Sequence, residues 1–482
     1  MMRTISVCLS LTLWAMAPIA LPAQTYTTLY NFCAQSGCLD GSYPYGTPLQ
    51  SIEGDLYGAT FTGGSGSFGT IYKITPGGAF TSVYDFCNTE GVCPQSIEPY
   101  APLIQSADGT FYGTTGGVTP PAFGTAGAIF EMKDGQVTTL YTFCAQSGCA
   151  DGANPSGGLV RAGSGDLYGT TLYGGECGYE FYCGTVFKLT PSGTLTTLYE
   201  FCKNGGTTCP DGRYPVYGLV QTANGDLYGE TAQGGGTGHG TLFKITPGGT
   251  LTTVYSFCSQ AGCPDGYGPQ GLTLGASGDL WGMFEYGGAV CNDINGLGTI
   301  FKLTASGQFK TVYTFCLEGG DSFAPLTLGS DGNFYGTTAE GGPLGLGTIF
   351  RLTPGGALTT LYSAGVTTLM QDTSGDFYGT TGGGGSNCLP GGCGTIFRLS
   401  VGLGPFVKTL PVAGKAGAAV KILGTDLTGA SSVTFGGVPA AFTVKSAVLI
   451  TAAVPAGATS GAVQVVTPGG TLSSNTVFTV TP

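Results

Sequence analysis

Short apolar runs closed by Gly or Pro fill this chain, and one phrase recurs through them: an apolar residue, an aromatic, then Gly. It reads Leu56-Tyr57-Gly58, Phe111-Tyr112-Gly113, Leu167-Tyr168-Gly169, Leu227-Tyr228-Gly229, Leu280-Trp281-Gly282, Phe334-Tyr335-Gly336 and Phe377-Tyr378-Gly379. Its aromatics stand 55, 56, 60, 53, 54 and 43 residues apart, a period that suits one small sheet per repeat. The third repeat predicts four strands, a to d: Gly158-Leu159-Val160-Arg161, Asp166-Leu167-Tyr168-Gly169-Thr170-Thr171, Gly184-Thr185-Val186-Phe187-Lys188-Leu189-Thr190 and Leu195-Thr196-Thr197-Leu198-Tyr199-Glu200-Phe201. Tight Gly and Pro turns join a to b and c to d, so these strands pair as antiparallel hairpins. Apolar residues on both alternations of b and c imply a sheet covered on both faces.

A copy of strand d, Thr27-Thr28-Leu29-Tyr30-Asn31-Phe32, precedes the first full repeat, while none follows the last strand c at Gly394-Thr395-Ile396-Phe397-Arg398. A ring explains this economically, because the N-terminal strand then completes the last sheet and removes an exposed edge. The expected fold is all-β: a seven-bladed β-propeller over 24–400 closed by its N-terminal strand, a linker at 401–405, and a second, sandwich-like domain over 406–482. In such a meander the variable b–c and d–a loops share one end, which is the natural binding face.

The tail predicts six strands at Ala419-Val420-Lys421-Ile422-Leu423, Ser432-Val433-Thr434-Phe435, Ala441-Phe442-Thr443-Val444, Val448-Leu449-Ile450-Thr451-Ala452, Ala462-Val463-Gln464-Val465-Val466 and Val477-Phe478-Thr479-Val480. Residues 1–23, with Arg3, an apolar run and small residues up to Ala23, read as a cleaved secretory signal peptide. No other stretch is long and apolar enough to predict a transmembrane segment. Of 17 cysteines, Cys8 falls in the signal and 14 of the rest form close pairs: Cys33/Cys38, Cys87/Cys93, Cys144/Cys149, Cys177/Cys183, Cys202/Cys209, Cys258/Cys263 and Cys388/Cys393. In an exported chain such spacing reads as local disulfides, and Cys291 and Cys316, on loops of the same end, are expected to bond to each other. Zinc is the competing reading and would want more His than the single His239.

Residues 24–400 carry 27 acidic against 11 basic side chains. An acidic surface of this kind disfavours nucleic acid and anionic lipid and leaves cations or neutral ligands, carbohydrate or a surface protein, as partners. Asp40, Asp151, Asp211 and Asp265 each precede a Gly after a staple cysteine. They would hold Ca²⁺ if they converged, but Asp-Gly is also a turn pair, and the turn reading is preferred; no cofactor is expected.

Two family resemblances sharpen the picture. The tail, through Ile422-Leu423-Gly424-Thr425-Asp426-Leu427, Val433-Thr434-Phe435-Gly436-Gly437-Val438-Pro439-Ala440 and Val454-Pro455-Ala456-Gly457-Ala458-Thr459-Ser460-Gly461, resembles the IPT/TIG family of immunoglobulin-like domains. That resemblance implies a β-sandwich serving as spacer or interaction module. The larger part, through Gly165-Asp166-Leu167-Tyr168-Gly169-Thr170-Thr171, Gly174-Gly175 and the third strand c, resembles the tandem GloVer repeat family of exported bacterial proteins. Neither resemblance brings catalytic residues.

Chemistry is sparse. No nucleophile elbow, His pair or phosphate-binding loop occurs, and His239 stands in a Gly-rich loop with no partner spacing. Residues that break the repeat on the variable-loop side are the better candidates. Tyr173, Tyr179, Phe181, Tyr182, Tyr286, Glu230 and Glu285 are the expected ligand contacts. The expected function is that of a secreted or cell-surface, non-catalytic binding or adhesion module. A carbohydrate-active enzyme using loop carboxylates and a structural spacer are the alternatives.

Overall fold

A computed structural model of the chain is built almost wholly of β-strands, with two single-turn 3-10 segments, Ser36–Cys38 and Ser147–Cys149. It describes residues 24–87, 98–116, 126–155, 157–176, 183–203, 208–289, 296–316, 320, 324–388 and 392–481. The expected signal peptide, 1–23, lies outside them. Among the described residues, 25–400 form seven four-stranded antiparallel sheets. The third has strand a at Val160–Arg161, b at Leu167–Thr171, c at Thr185–Leu189 and d at Leu195–Glu200, hydrogen-bonded in that order. Strands b of the seven, in chain order, are Leu56–Thr60, Phe111–Thr115, Leu167–Thr171, Leu227–Gln233, Leu280–Tyr286, Phe334–Thr338 and Phe377–Thr381.

The recurring Gly has one partner throughout. Register sets Gly58 opposite Tyr72, Gly113 opposite Phe130, Gly169 opposite Phe187 and Gly229 opposite Phe243. The same pairing joins Gly282 to Phe301, Gly336 to Phe350 and Gly379 to Phe397. The strand-c ring lies flat across the space a side chain would fill: a Cβ at Gly169 would stand 2.5 Å from Phe187 Cζ. The aromatic of the phrase itself points to the next sheet. Tyr57 meets Phe111 at 4.4 Å between centroids, Trp281 meets Phe334 at 4.3 Å and Tyr335 meets Phe377 at 4.2 Å. Each such pair adds about 1 kcal/mol to simple burial.

A second aromatic relay crosses the same interfaces. The Phe that ends strand d packs on the strand-c ring of the following sheet: Phe86 on Phe130, Phe143 on Phe187, Phe201 on Phe243 and Phe315 on Phe350, at 5.1 to 5.6 Å. Phe32, after the N-terminal strand Thr25–Asn31, packs on Tyr72 of the first sheet at 5.4 Å. That N-terminal strand pairs antiparallel with Thr395–Ser400, Thr25 opposite Ser400 and Asn31 opposite Thr395. The expected position of the spare strand d is therefore the observed one. One core cluster accordingly joins Phe32, Tyr378 and Ile396 of the last sheet to Leu56, Tyr72 and Ile74 of the first. The architecture is all-β and propeller-like.

The two ends of the sheets differ. At the tight-turn end, Lys73 pairs with Asp55 at 3.2 Å, Lys244 with Asp226 at 3.4 Å and Lys302 with Asp279 at 2.6 Å, tying strand c to the a–b turn. At the other end, bridges between Ser42 and Thr62, Ala153 and Tyr173, and Gly320 and Glu340 join each d–a loop to the end of the next strand b. Both kinds of variable loop thus gather there.

Beyond Ser400 two four-stranded sheets face each other. One runs Lys408–Leu410, Ala419–Leu423, Leu449–Ala453, Phe442–Ser446, and the other Val438–Pro439, Ser432–Phe435, Val463–Thr467, Gly470–Ser473. Val420, Ile422, Val433, Phe435, Ile450, Val465 and Phe478 fill the space between. The sequence reading had no strand at Lys408–Leu410, Ala413–Gly414, Val438–Pro439 or Gly470–Ser473, all only two to four residues long. The strand expected from Val477 is confined to Thr479–Val480. This sandwich sits on the tight-turn end. Phe406 N–H donates to Thr373 O at 3.0 Å, Asn475 Nδ2 to Leu328 O at 3.2 Å, and Lys408 Nζ to Gln371 O. Lys408 is half-buried, and desolvation, opposed by nearby Asp372, holds its ammonium down at about 8. The loop-bearing end is left uncovered by the sandwich.

Candidate functional site

The d–a loops follow one plan. In the loops entering the first, third, fourth and fifth sheets, the buried Phe is followed by a cysteine with positive φ, a short disulfide-closed turn, an Asp-Gly and, three residues after that Gly, a Pro. Bonds join Cys33 to Cys38, Cys144 to Cys149, Cys202 to Cys209, Cys258 to Cys263, and Cys388 to Cys393 in the last b–c loop. Cys87, Cys183 and Cys316 are also disulfide-bonded, while their expected partners Cys93, Cys177 and Cys291 lie outside the described residues.

The repeated Asp closes each loop from inside. Asp40 accepts from Tyr30 Oη at 2.8 Å and from the amides of Ala34 and Gln35. Asp151 repeats this with Tyr141, Ala145 and Gln146, Asp211 with Tyr199 and Cys202, and Asp265 with Tyr255 and Ser259. These carboxylates take protein donors in separate loops, which is the turn role, and of their oxygens Asp265 Oδ1 is buried without a hydrogen-bond partner.

Strands a are the innermost, since those of neighbouring sheets approach each other directly: a Cβ at Gly157 would stand 2.1 Å from Tyr217 O. Where the fourth and fifth strands a begin, a cleft of about 510 Å³ opens on the loop-bearing end. Its walls include His239, Tyr267, Tyr286, Gln233, Gln270 and Glu285. Tyr267 lies 5.3 Å from Tyr286 and 4.8 Å from His239, ring to ring, and Tyr286 remains 44% exposed. The same lining holds a polar chain: Tyr217 Oη donates to Gln270 Oε1, and Gln270 Nε2 donates to Glu285 Oε2 at 3.1 Å. His239 Nδ1 lies 3.0 Å from Thr237 O. A cleft lined by aromatic rings together with amide and carboxylate groups is equipped to stack on one face of a sugar ring and bond its hydroxyls.

Of the expected contacts, the cleft brings together Tyr286 and Glu285. Tyr173 lies just past strand b of the third sheet, edge-on to Tyr214 at 5.9 Å. Tyr179, Phe181 and Tyr182 lie outside the described residues. Glu230 requires correction: it was taken as a residue of the variable-loop side, but it lies within strand b and is 2% exposed. Ala59, Thr114, Thr170, Met283, Thr337 and Thr380 fill its position in the other sheets. Its Oε2 accepts from Gly271 N–H at 2.9 Å, its Oε1 has no hydrogen-bond partner, and burial pushes the carboxyl up to about 8.

That environment has a consequence for stability. The folded value exceeds the unfolded one near 4.5, so the unfolded chain releases this proton first; the contribution is complete below 4.5 and is lost as pH rises towards 8. Thermal melts of the wild type will lose on the order of 3 kcal/mol from this group between pH 5 and pH 8. Glu230→Gln, which keeps the acceptor for Gly271, will remove that component of the slope; identical slopes in the two proteins would exclude it.

Sequence reasoning missed Tyr267, Gln270 and Tyr217, and set His239 aside. The first three lie near the Pro in the first half of strand a, at Tyr267-Gly268-Pro269-Gln270 and Pro215-Val216-Tyr217, a position that reads in the sequence as turn chemistry alone. Positive φ at Tyr214 and Tyr217, rare for bulky residues, marks the same spot in the structure.

Comparison with known proteins agrees with the architecture. A fungal alcohol oxidase of the AA5 family, solved in complex with copper, is 16% identical over 94% of this chain and 98% of its own, with a TM-score of 0.52. At that identity the likeness concerns the fold alone. The extracellular domain of a putative one-component system of B. thetaiotaomicron is 12% identical over 94% of this chain and 58% of its own, at a TM-score of 0.49. PorZ of Porphyromonas gingivalis, a surface component of the type-IX secretion system, is 16% identical over 89% of this chain and 58% of its own, at 0.46. No curated protein is significantly similar. No helix of the described residues is long and apolar enough to cross a membrane. The IPT/TIG domain model matches residues 406–480, the sandwich. The Gloeobacter/Verrucomicrobia repeat model matches residues 12–210 and 206–368, most of the sheet-forming region, and the chain belongs to that repeat family.

Proposed function

We propose that the chain is an exported, non-catalytic module that binds carbohydrate on the loop-bearing end of a seven-bladed propeller over 24–400, with the sandwich over 406–482 as its base. Export is supported by the disulfides, which suit an oxidising compartment, and by the signal-like residues 1–23. Closure into seven blades is supported by the seven sheets and by the core that joins the last to the first. The observation that carries the ligand reading is the cleft between the fourth and fifth sheets, lined by Tyr267 and Tyr286 together with Gln270 and Glu285. A neutral ligand suits it, because an acidic surface repels anionic polymers.

Affinity electrophoresis through gels containing neutral polysaccharides, with chromatography for released sugars, tests both halves of the reading. The wild type is expected to be retarded without releasing product, and Tyr286→Ala to bind about tenfold more weakly. Retardation by none of the polymers would overturn the carbohydrate reading, and steady product release would overturn the non-catalytic one.

A further inference from the structure

A second aromatic group lies on the same end, away from the cleft. Tyr43 and Tyr45 lie in the loop before the first sheet, Phe61 directly follows its strand b, and Tyr100 lies in the loop before the second sheet. Their rings form one cluster: Tyr45 lies 5.5 Å from Tyr100 and 5.8 Å from Phe61, and Phe61 lies 5.9 Å from Tyr100. Tyr100 is 49% and Tyr43 38% exposed. Large apolar side chains left open together on a folded surface mark a contact site more than an accident of packing.

Tyr217 connects this cluster to the cleft. Its hydroxyl is bonded to Gln270 on the cleft wall. Burial first, then the nearby phenol of Tyr100 and the nearby carboxyls of Glu230 and Glu285, push that hydroxyl above the ordinary tyrosine value. Both aromatic groups thus lie on the loop-bearing end, with Tyr217 bonded to the wall of one and in electrostatic reach of the other.

Resting on the carbohydrate reading above, we infer that the ligand is a linear, uncharged polysaccharide held at two tyrosine platforms, Tyr267 with Tyr286 and Tyr45 with Tyr100, bridged by Tyr217. The platforms belong to different pairs of sheets, so a single sugar unit covers one of them and a chain of several units covers both. Tyrosine offers each unit an apolar face and a hydroxyl at low entropic cost.

Titration calorimetry with cello- and laminari-oligosaccharides of two to six glucose units tests this. For the wild type, affinity is expected to rise about tenfold from two units to six as the second platform is engaged. Tyr100→Ala is expected to bring the six-unit affinity down to the two-unit value, and Tyr100→Phe to restore most of the gain, which also shows that the variants are folded. Equal affinity at all lengths, or a length gain untouched by Tyr100→Ala, overturns the two-platform inference while leaving the cleft intact. Binding of neither series, when the gels have retarded the protein, also overturns it; failure of both gels and oligosaccharides removes the carbohydrate reading itself. Retention of a protein partner by the Tyr45–Tyr100 surface, lost in Tyr100→Ala with no effect of sugars, overturns it in favour of a protein-docking role.

Discussion

Gly169→Ala destabilises the folded chain by about 3 kcal/mol, near the upper end of what one added methyl costs in a packed core. A Cβ there would lie 2.5 Å from Phe187 Cζ, 3.0 Å from Cε1 and 3.2 Å from Leu159 Cδ2. Phe187 cannot retreat, because it is fully buried against Phe143 of the preceding sheet. The conflict is thus passed to the interface, where density is crystalline and little can shift. Urea unfolding of Gly169→Ala, Phe187→Leu and the double variant measures it. A shorter side chain at 187 relieves the clash, so the double variant will lose less than the two single losses added, with a coupling of at least 1 kcal/mol. Gly163→Ala, whose Cβ would meet nothing within 4 Å, will be near neutral. Additive losses would show that the ring and the glycine are not partners.

This pairing also marks where sequence reasoning stopped. The repeated aromatic-Gly phrase located strand b in every sheet, and the spare strand d at Thr27 pointed to its pairing with the last strand c. Local spacing does not reveal register, however. The partner of each Gly is a ring on strand c, as Phe187 is for Gly169, while Tyr168 beside it serves a different interface. Short strands escaped for a related reason: Gly470–Ser473 has too few residues to show alternation and exists only because Val463–Thr467 runs beside it.

The candidate site was half legible. Glu285 and Tyr286 stood out because they break the repeat. Glu230 stood out for the same reason but belongs to the body of strand b, as its equivalent Thr170 does in the third sheet; a break in the repeat does not tell whether the new side chain meets solvent or core. Tyr267 and Tyr100 were hidden beside prolines. The Asp-Gly pairs offered the opposite lesson: a carboxylate repeated on one plan answers a local need, here the Tyr hydroxyl and loop amides around Asp40 and its equivalents.

Closure itself makes the last prediction. In an open array the terminal unit frays, and deleting a contact there costs little; in a ring no joint is terminal. Phe32 and Phe201 occupy equivalent places, each fully buried, each against a strand-c ring of the following sheet, Tyr72 or Phe243. Phe201→Ala is a mid-chain deletion that will cost about 4 kcal/mol through lost burial and the cavity left behind. If the ring is closed, Phe32→Ala costs the same within about 1 kcal/mol, although it lies only nine positions into the described residues. Amide exchange separates the alternatives further. A closed ring protects Thr25–Asn31, paired with Thr395–Ser400, as strongly as the strand d at Leu195–Glu200, and Phe32→Ala lowers protection in the first and last sheets together. A Phe32→Ala loss below about 1 kcal/mol, with early exchange confined to Thr25–Asn31, would mean that the N-terminal strand is an edge that peels away and that the sheets form an open array.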